Sequence, residues 1–282
     1  MKHNTVIITG GNAGIGKAIA IEMARLNWHV VIVSRSSERG HAALEEIKIA
    51  GDSPNVSLEI GDLGTLDRTM QLAESLTQKY SRLKVLINNA GIWPTRKKIN
   101  LNGLEEAFMV NHMAPFILSA MLFPLLRANA PARIINVNAG LYVFGRFDLN
   151  RTPMGADFNP LRTYMNTKLC NVLFTRRFAR AIQDSGVTIN ANHPGVIRTG
   201  LGESGLSGRI MHRTIKRFWK SPQAGAVAPV WLATDPQLEN TNGQFFDLKR
   251  ERPYAANARN EILMESLYEY GWIKSKLRDF YI

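Results

Sequence analysis

The 282-residue chain holds a single cysteine, Cys170. One thiol excludes an intrachain disulfide, argues against a zinc cluster, and suits a reducing compartment. No Pro- or Ser-rich run, low-complexity segment or internal repeat marks a linker or a solenoid. No apolar run is expected to approach the roughly 20 residues of a membrane-spanning helix. Met1 to Asn4 lead straight into an apolar strand, which leaves no room for a signal peptide. These absences predict one domain over residues 1–282, in a cytoplasmic soluble protein with a sizeable core.

Acidic residues are outnumbered, 23 against 35 basic ones, for a formal net charge of +12. Most basic residues are scattered as on a solvated surface, so no nucleic-acid partner is expected. One cluster is denser. Arg209, Arg213, Lys216, Arg217 and Lys220 share one side at helical spacing, and Met211, Ile215, Phe218 and Trp219 take the other. Such a basic amphipathic helix suits a cover over a substrate pocket first, packing on the core second, and contact with a membrane surface through 209–220 third.

What the chain has in quantity is alternation. Apolar runs at Val6–Ile8, Val30–Val33, Val56–Ile60, Val85–Ile87, Ile134–Val137, Val187–Ala191 and Gly243–Phe246 read as strands. Between them, Ser36–Ile49, Leu66–Tyr80, Leu104–Leu126 and Tyr164–Gln183 read as helices, with Pro115 and Pro124 as irregularities and Gly51 and Gly186 as stops. This order predicts a Rossmann-type, doubly wound parallel α/β sheet with helices on both faces, in a single domain. Ligands of such sheets bind beyond the carboxyl ends of the strands.

The segment after the first strand is Gly10-Gly11-Asn12-Ala13-Gly14-Ile15-Gly16-Lys17. A strand, a glycine turn and a helix N-terminus form a phosphate site, although the Gly-x3-Gly-x-Gly spacing differs from the general dinucleotide fingerprint. An ordinary strand–helix turn is the competing reading. After the second strand, Ser34 and Arg35 stand where a carboxylate would hold the ribose of NAD. Arg35, with Lys17 and Arg39, suits a 2′-phosphate and hence NADP(H). Tyr164 and Lys168 lie one helical turn apart, so the ammonium is expected to lower the phenol's pKa and make it a general acid/base.

Thr9-Gly10-x3-Gly14-Ile15-Gly16, Asn88-Asn89-Ala90-Gly91, Val110-Asn111-His112, Tyr164-x3-Lys168 and Pro194-Gly195-x3-Thr199 occur in this order. Together they resemble the short-chain dehydrogenase/reductase family. The run Tyr164–Thr175 and the Phe144–Thr163 insertion resemble its retinol dehydrogenase-like branch. The resemblance implies a hydride transfer between NADP(H) and a carbonyl or alcohol carbon. It implies Tyr164 as proton donor or acceptor, Lys168 on the nicotinamide ribose, and Asn111 ordering a water. Gly10, Asn12, Gly14, Ile15, Gly16 and Arg35 join Asp62, Leu63, Asn89, Ala90 and Gly91 around the adenosine and phosphates. Ile197 and Thr199 take the carboxamide and pyrophosphate side. The long helices often form dimer faces in the family; here Glu261–Tyr270 is expected to cover them, so a monomer or a homodimer is left open.

One position departs from the family. The substrate-binding serine at the end of the fifth strand corresponds to Ala139, which has no donor. Three readings stand open: an engineered substitution, a replacement donor such as Tyr142 or an insertion residue, or a loss of ordinary redox chemistry. The last would make the chain a non-redox catalyst, cyclase- or isomerase-like, or a binding protein. Asn138 is expected to point to the opposite face of the strand. Residues 200–221, with Leu201, Leu206, Ile210, Met211, Phe218 and Trp219, are expected to cover an apolar small-molecule substrate, with Tyr142, Phe144 and Phe147 in the pocket.

Overall fold

In the computed structural model of the chain, residues 3–196 and 221–277 are described. Eight strands form one sheet in the order β3-β2-β1-β4-β5-β6-β7-β8. They are β1 Thr5–Thr9, β2 His29–Ser34, β3 Val56–Ile60, β4 Leu83–Asn88, β5 Ala132–Val137, β6 Val187–His193, β7 Phe245–Asp247 and β8 Arg250–Arg252. All neighbours pair in parallel except β7 and β8. The chain begins in the middle of the sheet and moves outward first one way and then the other. That reversal opens a crevice between the carboxyl ends of β1 and β4, the position where such sheets take ligands.

The helices are α1 Gly14–Arg25, α2 Ser37–Gly51, α3 Leu66–Lys79, α4 Glu106–Ala128, α5 Pro160–Ala181, α6 Pro222–Thr234 and α7 Glu261–Ser275. Two buried clusters, one on each face of the sheet, account for its Val- and Ile-rich strands. Val6, Ile8, Val30, Ile32 and Ile135 pack with Ile19, Met23, Ile47 and Leu232 of α1, α2 and α6. Ile7, Val31, Leu86 and Ile134 pack on the other face with Leu76, Phe116 and Phe174 of α3, α4 and α5. Buried on both faces, strands have no polar side to alternate with, so they read as continuous apolar runs.

Two sequence expectations need correction. Glu106–Ala128 is long and apolar enough, by length and composition, to cross a membrane, with a mean hydropathy of 1.6. Its most apolar stretch is 89 % buried inside the protein, as a core helix. Gly51 does not stop α2. The helix runs through it and ends at Asp52, whose left-handed backbone (φ 48°, ψ 48°) closes the last turn.

Candidate active site

The glycine loop joins β1 to α1. Gly10 and Gly14 have φ of +66° and +54°, conformations that side-chain-bearing residues rarely adopt. A Cβ on Gly16 would overlap Asn89 Nδ2 and the Gly10 carbonyl. Ala13, at the N-cap of α1, offers no side-chain cap, and the first turn carries no acidic residue. The N–H groups and positive dipole end of α1 are thus left for an anion.

Thr9 and Asn89 tie this loop to the end of β4. Thr9 Oγ1 accepts from the Asn89 and Ala90 N–H groups, each at 3.0 Å, and Asn89 Nδ2 donates to the Thr9 carbonyl at 2.9 Å. The Asn89 side chain therefore braces the loop from behind. Arg35 and Arg39 are exposed just past β2. Lys17 pairs with Glu46 of α2 at 2.5 Å on the surface. Asp62 accepts from the Gly64 N–H and from Arg68, and the neighbouring Leu63 is buried. These features fit a dinucleotide: a cradle that a Cβ would fill, an uncapped helix end and an exposed arginine just past β2.

Tyr164 and Lys168 project from α5. Tyr164 is 8 % exposed, and burial pushes its phenol up to about 12. Burial also brings the Lys168 ammonium down to about 8. The expected lowering of the Tyr164 pKa by its neighbour is thus reversed, because desolvation outweighs the ammonium 5.6 Å from the ring centroid. Lys168 Nζ donates to the Val137 carbonyl at 3.2 Å.

Asn111 sits in a π-helical turn, Met109–Met113, within α4, a distortion frequent at functional sites. Its side chain clamps the loop after β4: Oδ1 accepts from the Ile92 N–H at 2.7 Å and Nδ2 donates to the Ile92 carbonyl at 2.9 Å. Nδ2 also donates to Thr167 Oγ1 at 3.1 Å, and Thr167 Oγ1 donates to the Tyr164 carbonyl. Gly91 lies between these groups; a Cβ there would be 3.4 Å from Asn111 Oδ1 and 3.8 Å from Lys168 Nζ.

Ala139 is extended (φ −142°, ψ 144°) at the end of β5 and largely buried. Asn138 donates to the Lys168 carbonyl at 3.0 Å, so its side chain faces α5, the helix of Tyr164 and Lys168, and not the far side of the sheet. Tyr142 is buried at the end of β5. Its hydroxyl accepts from the Ala255 N–H at 3.3 Å and its ring packs against Phe245. Phe147 is likewise core, stacked on Phe108, whereas Phe144 is 65 % exposed. Ile197, Thr199, the basic cluster 209–220 and the apolar residues 201–219 lie outside the described residues.

Two residues that sequence reasoning overlooked belong to this arrangement. Trp93 stacks on Tyr164, with ring centroids 4.5 Å apart and planes 7° from parallel. Its position just past a strand's carboxyl end was the available signal. Asn171, one turn beyond Thr167, donates to the Asn111 carbonyl at 2.7 Å.

The short chain dehydrogenase family model matches residues 4–208. Human retinol dehydrogenase 13 is 35 % identical over 271 residues, covering 94 % of this chain and 82 % of its own. Human retinol dehydrogenase 14 is 33 % identical, with 95 % and 85 % covered. Among solved structures, a protein from Mycobacterium paratuberculosis superimposes with a TM-score of 0.76 over 97 % of this chain and 93 % of its own, at 24 % identity, which speaks to the fold. A protein from Beutenbergia cavernae described as an NAD(P)-dependent gluconate 5-dehydrogenase, with NADP bound at low occupancy, has a TM-score of 0.68 at 26 % identity over 87 % and 94 %. The chain belongs to the short-chain dehydrogenase/reductase family, in its retinol dehydrogenase-like branch, as an NADP(H)-binding oxidoreductase of alcohol and carbonyl groups.

Proposed function

We propose that the chain is a carbonyl reductase of apolar small molecules, with Tyr164 as the group that gives the substrate oxygen its proton. The convergence of Tyr164, Lys168 and Asn111 beside the glycine loop carries this reading. Bound NADPH supplies the hydride. Tyr164, held protonated at neutral pH, suits donation to an oxygen that gains negative charge. Lys168, one turn on, favours the phenolate left behind. Asn111 holds the Ile92 backbone and, through Thr167, the turn of α5 that carries Tyr164. Gly10, Asn12, Gly14, Ile15, Gly16, Arg35, Asp62, Leu63, Asn89, Ala90 and Gly91 are the residues assigned to the cofactor on this chain.

Leu141, Val143, Phe144 and Val196 support an apolar substrate. All four are exposed large side chains just after the carboxyl ends of β5 and β6. Sequence alone supports residues 200–221 as the cover over that substrate and 209–220 as a contact for an anionic membrane surface in a cytoplasmic protein. Co-flotation with anionic but not neutral vesicles tests the latter.

A monomer is the favoured state. Helix α7 packs Tyr268 and Trp272 against Phe116 of α4, and Glu261 and Glu265 pair with Arg176, Arg177 and Arg180 of α5. The α4–α5 face is therefore covered from within, and sedimentation should give a 31.6 kDa species.

The functional reading is tested by NADPH oxidation with a panel of apolar ketones and aldehydes, on this chain and on Ala139→Ser side by side. Turnover by either form supports the reading. Turnover of small charged carbonyls alone would contradict the apolar substrate, and conversion of substrate with no net NADPH change would favour a non-redox catalyst.

A further inference from the structure

The turn that follows Ala139, Gly140–Phe144, is held from far along the chain. Asn257 lies between β8 and α7. Its side-chain Nδ2 donates to three carbonyls at that turn: Tyr142 at 3.0 Å, Val143 at 3.2 Å and Gly145 at 2.9 Å. Two residues earlier, the Ala255 N–H donates to the Tyr142 hydroxyl at 3.3 Å. Three acceptors around one amide head fix which of its atoms is the nitrogen. The other, Oδ1, is buried with no partner among the described residues. A buried oxygen left unpaired costs stability, so stability alone is a poor reason for this amide.

The same segment is fastened to the helix of Tyr164. The Arg176 guanidinium lies 5.0 Å from the centroid of the Tyr254 ring. Arg176 also donates to the Ala258 carbonyl and pairs with Glu261 at 2.8 Å. Arg176 belongs to α5, about three turns beyond Tyr164. Asn257 therefore joins the turn after Ala139 to the helix that carries Tyr164 and Lys168. Leu141, Val143 and Phe144, the exposed apolar side chains of that turn, are placed through this one amide.

We infer that Asn257 is a positioning residue that sets the apolar wall of Leu141, Val143 and Phe144 against Tyr164, and so determines how tightly the part of a substrate remote from its carbonyl is held. This rests on the carbonyl-reductase reading above. A short aldehyde reaches Tyr164 without extending along the wall. A longer one gains about fourfold in affinity for each methylene group buried there. A turn released from Asn257 shifts away, and two methylene groups that lose their contact cost about tenfold.

The test compares butanal and octanal as substrates with NADPH, on wild type, Asn257→Asp and Asn257→Ala. Neither replacement can donate to the three carbonyls. Both variants should raise KM for octanal about tenfold and KM for butanal less than twofold, with kcat for octanal and the Kd of NADPH close to wild type. A general loosening of the fold would move both aldehydes and NADPH together. Equal shifts for the two aldehydes, or an unchanged KM for octanal, overturn the inference. If Asn257→Asp does not fold, Asn257→Ala carries the comparison; failure of both to fold would make Asn257 a stability residue and overturn the inference as well. If wild type oxidises NADPH with neither aldehyde, the carbonyl-reductase reading fails, and the inference with it.

Discussion

Asn171 donates its side-chain amide to the Asn111 carbonyl at 2.7 Å, and Pro115 explains why that carbonyl needs it. Four residues on in α4, Pro115 has no N–H to return to Asn111. The asparagine on α5 supplies the missing donor, and its Oδ1 also lies 3.3 Å from Nδ1 of the fully buried His112. Asn171→Leu should strand both groups and cost about 1–3 kcal/mol per unsatisfied group. Urea unfolding checks this; an unchanged midpoint would mean that neither contact matters.

The second prediction concerns Ala139. A serine there restores a donor toward the substrate oxygen. A single such donor is worth on the order of 10²–10³ in rate. Ala139→Ser should therefore raise kcat by about that factor with little change in NADPH affinity. A kcat within twofold of the parent would mean that another group already fills the role.

The third concerns the cofactor. Arg35→Asp should weaken NADPH binding by about 1.5–3 kcal/mol, the worth of a charge-assisted hydrogen bond, and narrow or reverse the preference over NADH. Equal NADPH affinity in the variant, measured by fluorescence titration, would remove Arg35 from the 2′-phosphate site.

Much of this was legible in the sequence, for reasons that differ by residue. Val6–Ile8 announces a strand because both faces of the sheet bury it. Tyr164 and Lys168 share a helix face by spacing alone. What escaped depends on distant partners. Helix α6 lacks an alternating pattern because one nearly continuous apolar run, with Pro229 inside it, packs onto α1. Strand β8, Arg-Glu-Arg and exposed throughout, exists through backbone pairing with β7 and carries no apolar signal. The Lys17–Glu46 pair and the Trp93–Tyr164 stack join residues far apart in sequence. The pKa expectation for Tyr164 failed because spacing reports a neighbour's charge but not the depth of burial.

That burial gives a pH prediction. Lys168 titrates near 8 in the folded chain against 10.5 for the ordinary side chain. Between those values the unfolded chain holds the proton that the folded chain has lost, so this group makes stability rise with pH across roughly 8 to 10.5. Below pH 8 the cost of burying the ammonium is present in full. Relative to Lys168→Met, the wild type should therefore gain stability as pH rises from 8 to 10. A constant difference between the two proteins over that range would contradict the placement of a buried, depressed lysine.

The most direct test of the account follows the hydride itself. NADPH carrying deuterium at the transferable C4 position is mixed with an apolar aldehyde and the protein, and the alcohol is analysed by mass spectrometry. The account predicts one deuterium on the carbinol carbon for each NADPH oxidised, with the rate falling sharply in Tyr164→Phe. Product without deuterium, or formed with no loss of NADPH, would contradict it.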